Sequence, residues 1–91
     1  MDDHEDEHSL LKFPCDFPIK IFGLTKNHIE SLAVAVINKH VHNLTEGAVK
    51  SRTSKEGKYT AVTITIHAQS HKQLDAIYHD LSAENAFIMV L

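Results

Sequence analysis

The stretch KYTAVTITIHAQ, residues 58–69, decides the fold. Val62, Ile64, Ile66 and Ala68 alternate with Ala61, Thr63, Thr65 and His67, the period of two expected of a strand with one buried and one open face. Just upstream, residues 48–54 form another strand, and Lys55, Glu56, Gly57 and Lys58 give a hairpin turn in which glycine supplies the positive φ. With Glu56 and Gly57 as the turn residues, Val49 lies opposite Ile64, Lys50 opposite Thr63, Ser51 opposite Val62 and Arg52 opposite Ala61. Apolar pairs then share one face, whereas a slip of one residue mixes the two faces.

Working outward, Ile19, Lys20, Ile21 and Phe22 alternate as a first strand that Gly23 ends, after an extended entry imposed by Pro14 and Pro18. Asn27 with Glu30 has the spacing of a helix cap, Thr25 being a competing one, and Ile29, Leu32, Ala33, Val36 and Ile37 make one helical stripe running to about His40. Ser70 with Gln73 repeats the capping spacing, and Leu74, Ile77, Tyr78 and Leu81 form the stripe of a second helix ending near Ala83. Residues 86–91 are nearly all apolar and too few for a helix, so they make a last strand. The order strand, helix, strand, strand, helix, strand predicts an α+β, ferredoxin-like β-α-β-β-α-β sandwich. Its four-stranded antiparallel sheet takes the order 4-1-3-2, with both helices on one face.

The chain has 91 residues, enough for one domain of two layers that buries about 60–65% of its unfolded surface. Residues 1–10 read as an acidic, disordered tail and residues 11–91 as the domain. The formal charge of -3 conceals this division, because residues 1–8 hold five acids and the rest has nine bases against seven acids, a net of +2. The apolar runs are too short for a membrane span and the N-terminus lacks the pattern of a secretory signal, which predicts a cytoplasmic protein without a membrane partner. A single cysteine, Cys15, fits a reducing compartment.

The segments FPCDFPIKIFG (13–23), SKEGKY (54–59) with VTITIHA after it, LDAIYHDL (74–81) and MVL (89–91) resemble the YbeD-like bacterial family of unknown function. The likeness runs in register over residues 11–91. It implies a ferredoxin-like fold similar to ACT-type regulatory domains, in a small stand-alone protein whose genes in several bacteria neighbour those of lipoate biosynthesis. It also implies a non-enzymatic regulatory or binding module with an effector site at Gly23, Leu24, Thr25 and Asn27, where ACT-like domains bind around the turn after strand one. No catalytic residue, metal or cofactor comes with the resemblance. The chain departs from the family pattern at Glu56, where a basic residue is usual, and at Ile88, where a charged one is frequent.

Other residues are weighed on their chemistry. His40 and His42, with His4 and His8, have the donor type of a transition-metal site, yet the spacing lacks thiolates or tight pairing and favours a His40 placed at a helix C-terminus. Cys15 has only Asp16 as an ionisable neighbour in sequence, so packing is the better reading than nucleophilic catalysis. Lys50, Arg52, Lys55 and Lys58 concentrate positive charge on the hairpin and make anion or nucleic-acid binding the alternative function. Against nucleic acid as a partner stand the open-face positions Lys20, Phe22, Thr63, Thr65 and His67, of which only Phe22 can stack on a base. The acidic tail is expected to compete for the basic hairpin.

Finally, if Phe87, Met89 and Leu91 point at the helices, Ile88 and Val90 lie beside Phe22 on the open face. The last strand is also an edge without charged side chains. The sequence thus predicts a homodimer, besides an unidentified protein or small-molecule effector. In sedimentation velocity the average mass should rise with protein concentration; a monomer mass at every concentration rejects self-association.

Overall fold

The computed structural model describes residues 11–91. The acidic tail and its histidines lie outside the described residues. Four strands, β1 (Cys15–Leu24), β2 (Val49–Thr53), β3 (Tyr59–Ala68) and β4 (Phe87–Val90), form one antiparallel sheet in the order β2-β3-β1-β4. Helices α1 (Ile29–Ile37) and α2 (His71–Ser82) cover one face. This is the expected architecture and strand order.

The hairpin register is also as expected, with Val49 opposite Ile64 and Arg52 opposite Ala61. Its loop is longer than two residues. Ser54 N–H donates to Tyr59 O and Gly57 N–H to Ser54 O, both at 2.8 Å, while Gly57 takes φ +79°. The closing pair Ser54 and Tyr59 keeps the register that a two-residue turn would give, so the faces are unchanged.

Burial follows the period of two. Ile19 and Ile21 of β1 and Val62, Ile64, Ile66 and Ala68 of β3 point at the helices and are buried against Ile29, Ala33, Val36 and Ile37 of α1 and Leu74, Ile77 and Leu81 of α2. Ser70 caps α2, accepting from Gln73 N–H at 3.1 Å, but the Gln73 side chain accepts from Gln69 N–H and not from the cap residue itself.

Three local expectations are corrected. Strand β1 is longer than the alternating stretch, from Cys15 through Gly23 to Leu24. Pro18 fits inside it because Lys20 exchanges main-chain bonds with Leu91 on the β4 side, and alternation turns the nitrogen of residue 18 to that same side, past the end of β4. Gly23 does not end the strand. A Cβ there would run into the Ile29 side chain and lie 2.7 Å from Ala86 O, so glycine lets α1 and the approach to β4 close on the strand. Third, α1 is not capped by Asn27: Thr25–Asn27 form a 3-10 turn, and His28 enters the helix in the left-handed region at φ 54° without a side-chain cap. The helix ends at Ile37, and turns carry the chain past His40.

Ile64→Ala should cost about 2–5 kcal/mol in urea unfolding, since it empties fully buried volume at the sheet centre, and Thr63→Ala far less. Gly23→Ala should cost about 1–3 kcal/mol by overpacking. Equal costs at Ile64 and Thr63 would contradict the assignment of faces.

Candidate functional site

Strand β3 has ten residues and β2 only five, so the outer edge of β3 beyond Ile64 has no β2 opposite it. Residues 38–48 curl over that edge, anchored by Val41, which is buried, and by Leu44, which is partly buried against the core. Between loop and sheet lies a cleft of about 820 Å3, lined among others by Lys50, Thr63, Thr65, His67, His42 and Gln73. Ladder alternation turns the main-chain groups of Thr65 and His67 to this side, in line with the bond that His67 O accepts from the Gln69 side chain.

The cleft walls are fixed by polar contacts. His40 Nε2 donates to Asp80 Oδ2 at 2.6 Å, tying the end of the α1 segment to α2, and His40 O accepts from Gln73 Nε2 at 3.3 Å. His67 Nδ1 lies 3.1 Å from Asp16 Oδ1 across β3 and β1. The hydrogen bond from His40 holds the Asp80 carboxyl below the usual carboxylate range, with weaker support from the charges of His40, Lys39 and His79. Burial pushes the Tyr78 phenol up, and its hydroxyl donates to Leu91 O at 3.1 Å.

The residues singled out in the sequence separate into distinct places. His40 and His42 both line the cleft, but His40 is engaged by Asp80, and among the described residues no cluster of three His, Cys, Asp or Glu side chains could hold a metal. Gly23 is buried, and Asn27 stands apart from the shallow depression of about 420 Å3 that Leu24 and Thr25 line with Lys26, Gly57 and Lys58. Thr25 N–H donates to Lys58 O at 2.8 Å, and its hydroxyl bonds that of Thr60 at 2.8 Å, so the turn after β1 and the hairpin loop adjoin. Lys50 and Arg52 lie on the open face of the edge strand β2, and Lys55 and Lys58 in its loop. Cys15 is a partly buried strand residue opposite Ala68.

The parity expected of β4 is corrected. A register shift opposite Phe22 and Gly23 pairs Val90 with Ile21 and Met89 with Phe22. Val90 therefore packs against the core, and Met89 takes its place beside Phe22 on the open face. Ile88, skipped by the shift, is 61% exposed, Met89 50% and Leu91 58%. The surface expected from Phe22, Ile88 and Val90 is thus built from Phe22, Ile88, Met89 and Leu91. Sequence reasoning also missed Tyr59, which it did not count among the open-face positions; the odd-number parity of Ala61 and Thr63 on that face already included it. The pairing of Asp16 with His67 follows once β1 is extended back to Cys15.

Because the folded-state pKa of Asp80 is depressed, its contribution to stability is complete above the ordinary carboxylate value of about 4 and is lost as pH falls through the lower folded value. The stability difference between the native chain and Asp80→Asn, measured by urea midpoints, should shrink from pH 5 to pH 2.5. A difference independent of pH would show that the carboxylate is not held by His40 as described.

Residues 8–91 match a family model described as "Protein of unknown function (DUF493)". A "UPF0250 protein" of Paraburkholderia phytofirmans is 39% identical over 83 residues, covering 91% of this chain and 93% of the relative. Another, from Chromobacterium violaceum, is 36% identical over 87 residues, covering 96% and 98%. The solution structure of protein HP0495 from H. pylori shares the fold with a TM-score of 0.67 at 15% identity, over 89% of this chain and 85% of that one. Among the described residues no helix is long and apolar enough to cross a membrane. From the matched span, the bacterial relatives and the common fold, the chain belongs to this YbeD-like family of unknown function.

Proposed function

We propose that the protein is a non-enzymatic binding module that takes a small anionic molecule, a carboxylate or a phosphate, in the cleft beneath residues 38–48. The observation that carries this reading is that Lys50, His42, His67, Thr63 and Thr65 line one concavity beside a strand edge that has outrun its neighbour. The volume of about 820 Å3 is that of a small-molecule site. Among these lining groups Asp16 lies 3.1 Å from His67 Nδ1 at one end, and Lys50 supplies the cationic contact for an anion.

An occupant bonded to Lys50 and to the main chain of β3 on one side and to His42 on the other would hold the loop to the sheet. A binding module can report a ligand in this way, by shifting the population of one loop. This moves the effector from Gly23, Leu24, Thr25 and Asn27 to the other end of the open face. The exposed Ile88, Met89 and Leu91 support the accompanying reading of self-association along β4.

Titration of the 15N-labelled chain with inorganic phosphate and with citrate should move the amides of Thr65, His67 and residues 41–48 saturably. Lys50→Ala should weaken that response several-fold. Shifts that do not saturate, or that are indifferent to Lys50→Ala, reject the cleft as the site.

A further inference from the structure

At the hairpin end of the same open face lies a second arrangement, centred on other residues than the cleft and meeting it at Lys50. Phe22 of β1 pairs with Ala61 of β3, and Leu24 with Tyr59, so Phe22 and Tyr59 are diagonal neighbours on the two central strands. Diagonal positions stand about 7–8 Å apart, within reach of aromatic side chains. Arg52 of β2 pairs with Ala61 from the other side. The row Arg52, Ala61, Phe22 thus has its smallest member in the middle, and Phe22, Tyr59, Ala61, Arg52 and Lys55 line a depression of about 370 Å3. Tyr59 is 46% exposed, and Lys58 Nζ sits 5.5 Å from the centre of its ring.

Positive charge surrounds these rings. Lys50 and Lys20 flank Thr63 in the next row of the open face, two residues along β3, or about 7 Å away. Lys55 and Lys58 stand at the turn. Among the described residues, the acids on this face are Glu56 in the turn itself and Asp16 at the far end, where His67 engages it. An aromatic pair around a small-residue floor, bordered by Arg and Lys along one direction, has the chemistry of a stacking platform with a phosphate track.

We propose that this face binds single-stranded nucleic acid, with one or two bases stacked on Phe22 and Tyr59 and the backbone following Lys55, Arg52, Lys50 and Lys20. A duplex does not fit the arrangement, because its bases offer no free face to the rings. The count of stacking residues that argues against nucleic acid in the sequence changes once Tyr59 joins Phe22 on the central strands.

The test is fluorescence anisotropy of the full chain with fluorescein-labelled dT12 and rU12 at 50 mM salt. Saturable binding that weakens as salt rises is expected. Phe22→Ala and Tyr59→Ala should each reduce affinity about five- to hundredfold, while Tyr59→Phe retains it. Arg52→Ala should weaken binding and reduce the salt slope by about 0.7. Lys72 is exposed on α2 in the helix layer, and Lys72→Ala should leave the affinity unchanged. No binding, equal affinity for a 12-base-pair duplex, equal affinity for thymidine monophosphate, or a response to Arg52→Ala without one to the aromatic variants would each overturn the proposal.

Discussion

The structure depends on the pairing of β1 with β3. It runs unbroken from Cys15 opposite Ala68 to Leu24 opposite Tyr59, and it places Ile19 beside Ile64 and Ile21 beside Val62, all fully buried. Each such side chain contributes about 1.5–3 kcal/mol by leaving water. A slip of one residue would turn the whole set out and turn Lys20, Thr63 and Thr65 in, so the register has no near competitor. Both helices then have one possible seat, the aliphatic face, which leaves the opposite face of the sheet open.

What the two ends offer differs because β2 is half the length of β3. Where β2 is present, its Lys50 and Arg52 border the open face. Where it is missing, residues 38–48 take its place without continuing its ladder. Gln73 of α2 links two connections there, accepting from Gln69 N–H just past β3 and donating to His40 O just past α1. Asp80 holds His40 from the next turns of α2, so the position of the cleft roof is tied to the helix layer and not to the sheet alone.

The parts legible in the sequence are those governed by a period. The hairpin register, the strand order, the buried stripe Leu74, Ile77 and Leu81 and the Ser70 cap follow from alternation or helical spacing in consecutive residues. The misread parts are set by contacts between distant residues. Gly23 looks like a strand terminator until Ile29 and Ala86 are known to press on it. The side on which Val90 falls depends on a register shift at Ile88 that apolar residues of either parity would permit. The cleft is still less visible, since it arises from a difference in strand length and from a loop whose polar residues carry no pattern. Tyr59 was within reach: its parity matched the open face, and only its nearness to the turn hid it.

The two edges of the sheet have opposite characters, and this orders the possible associations. The β2 edge carries Lys50 and Arg52, and two such edges brought together would meet with like charges. The β4 edge carries Ile88, Met89 and Leu91 and offers no such opposition. Two copies stacked face on face through Phe22 and Met89 would cover the aromatic pair and shut out a strand of nucleic acid. Two copies joined along β4 would instead extend the four-stranded sheet to eight, leave both open faces in one surface and set the basic borders at its outer rims. Edge pairing is therefore the mode of association compatible with both the cleft and the aromatic platform, because neither includes a residue of β4.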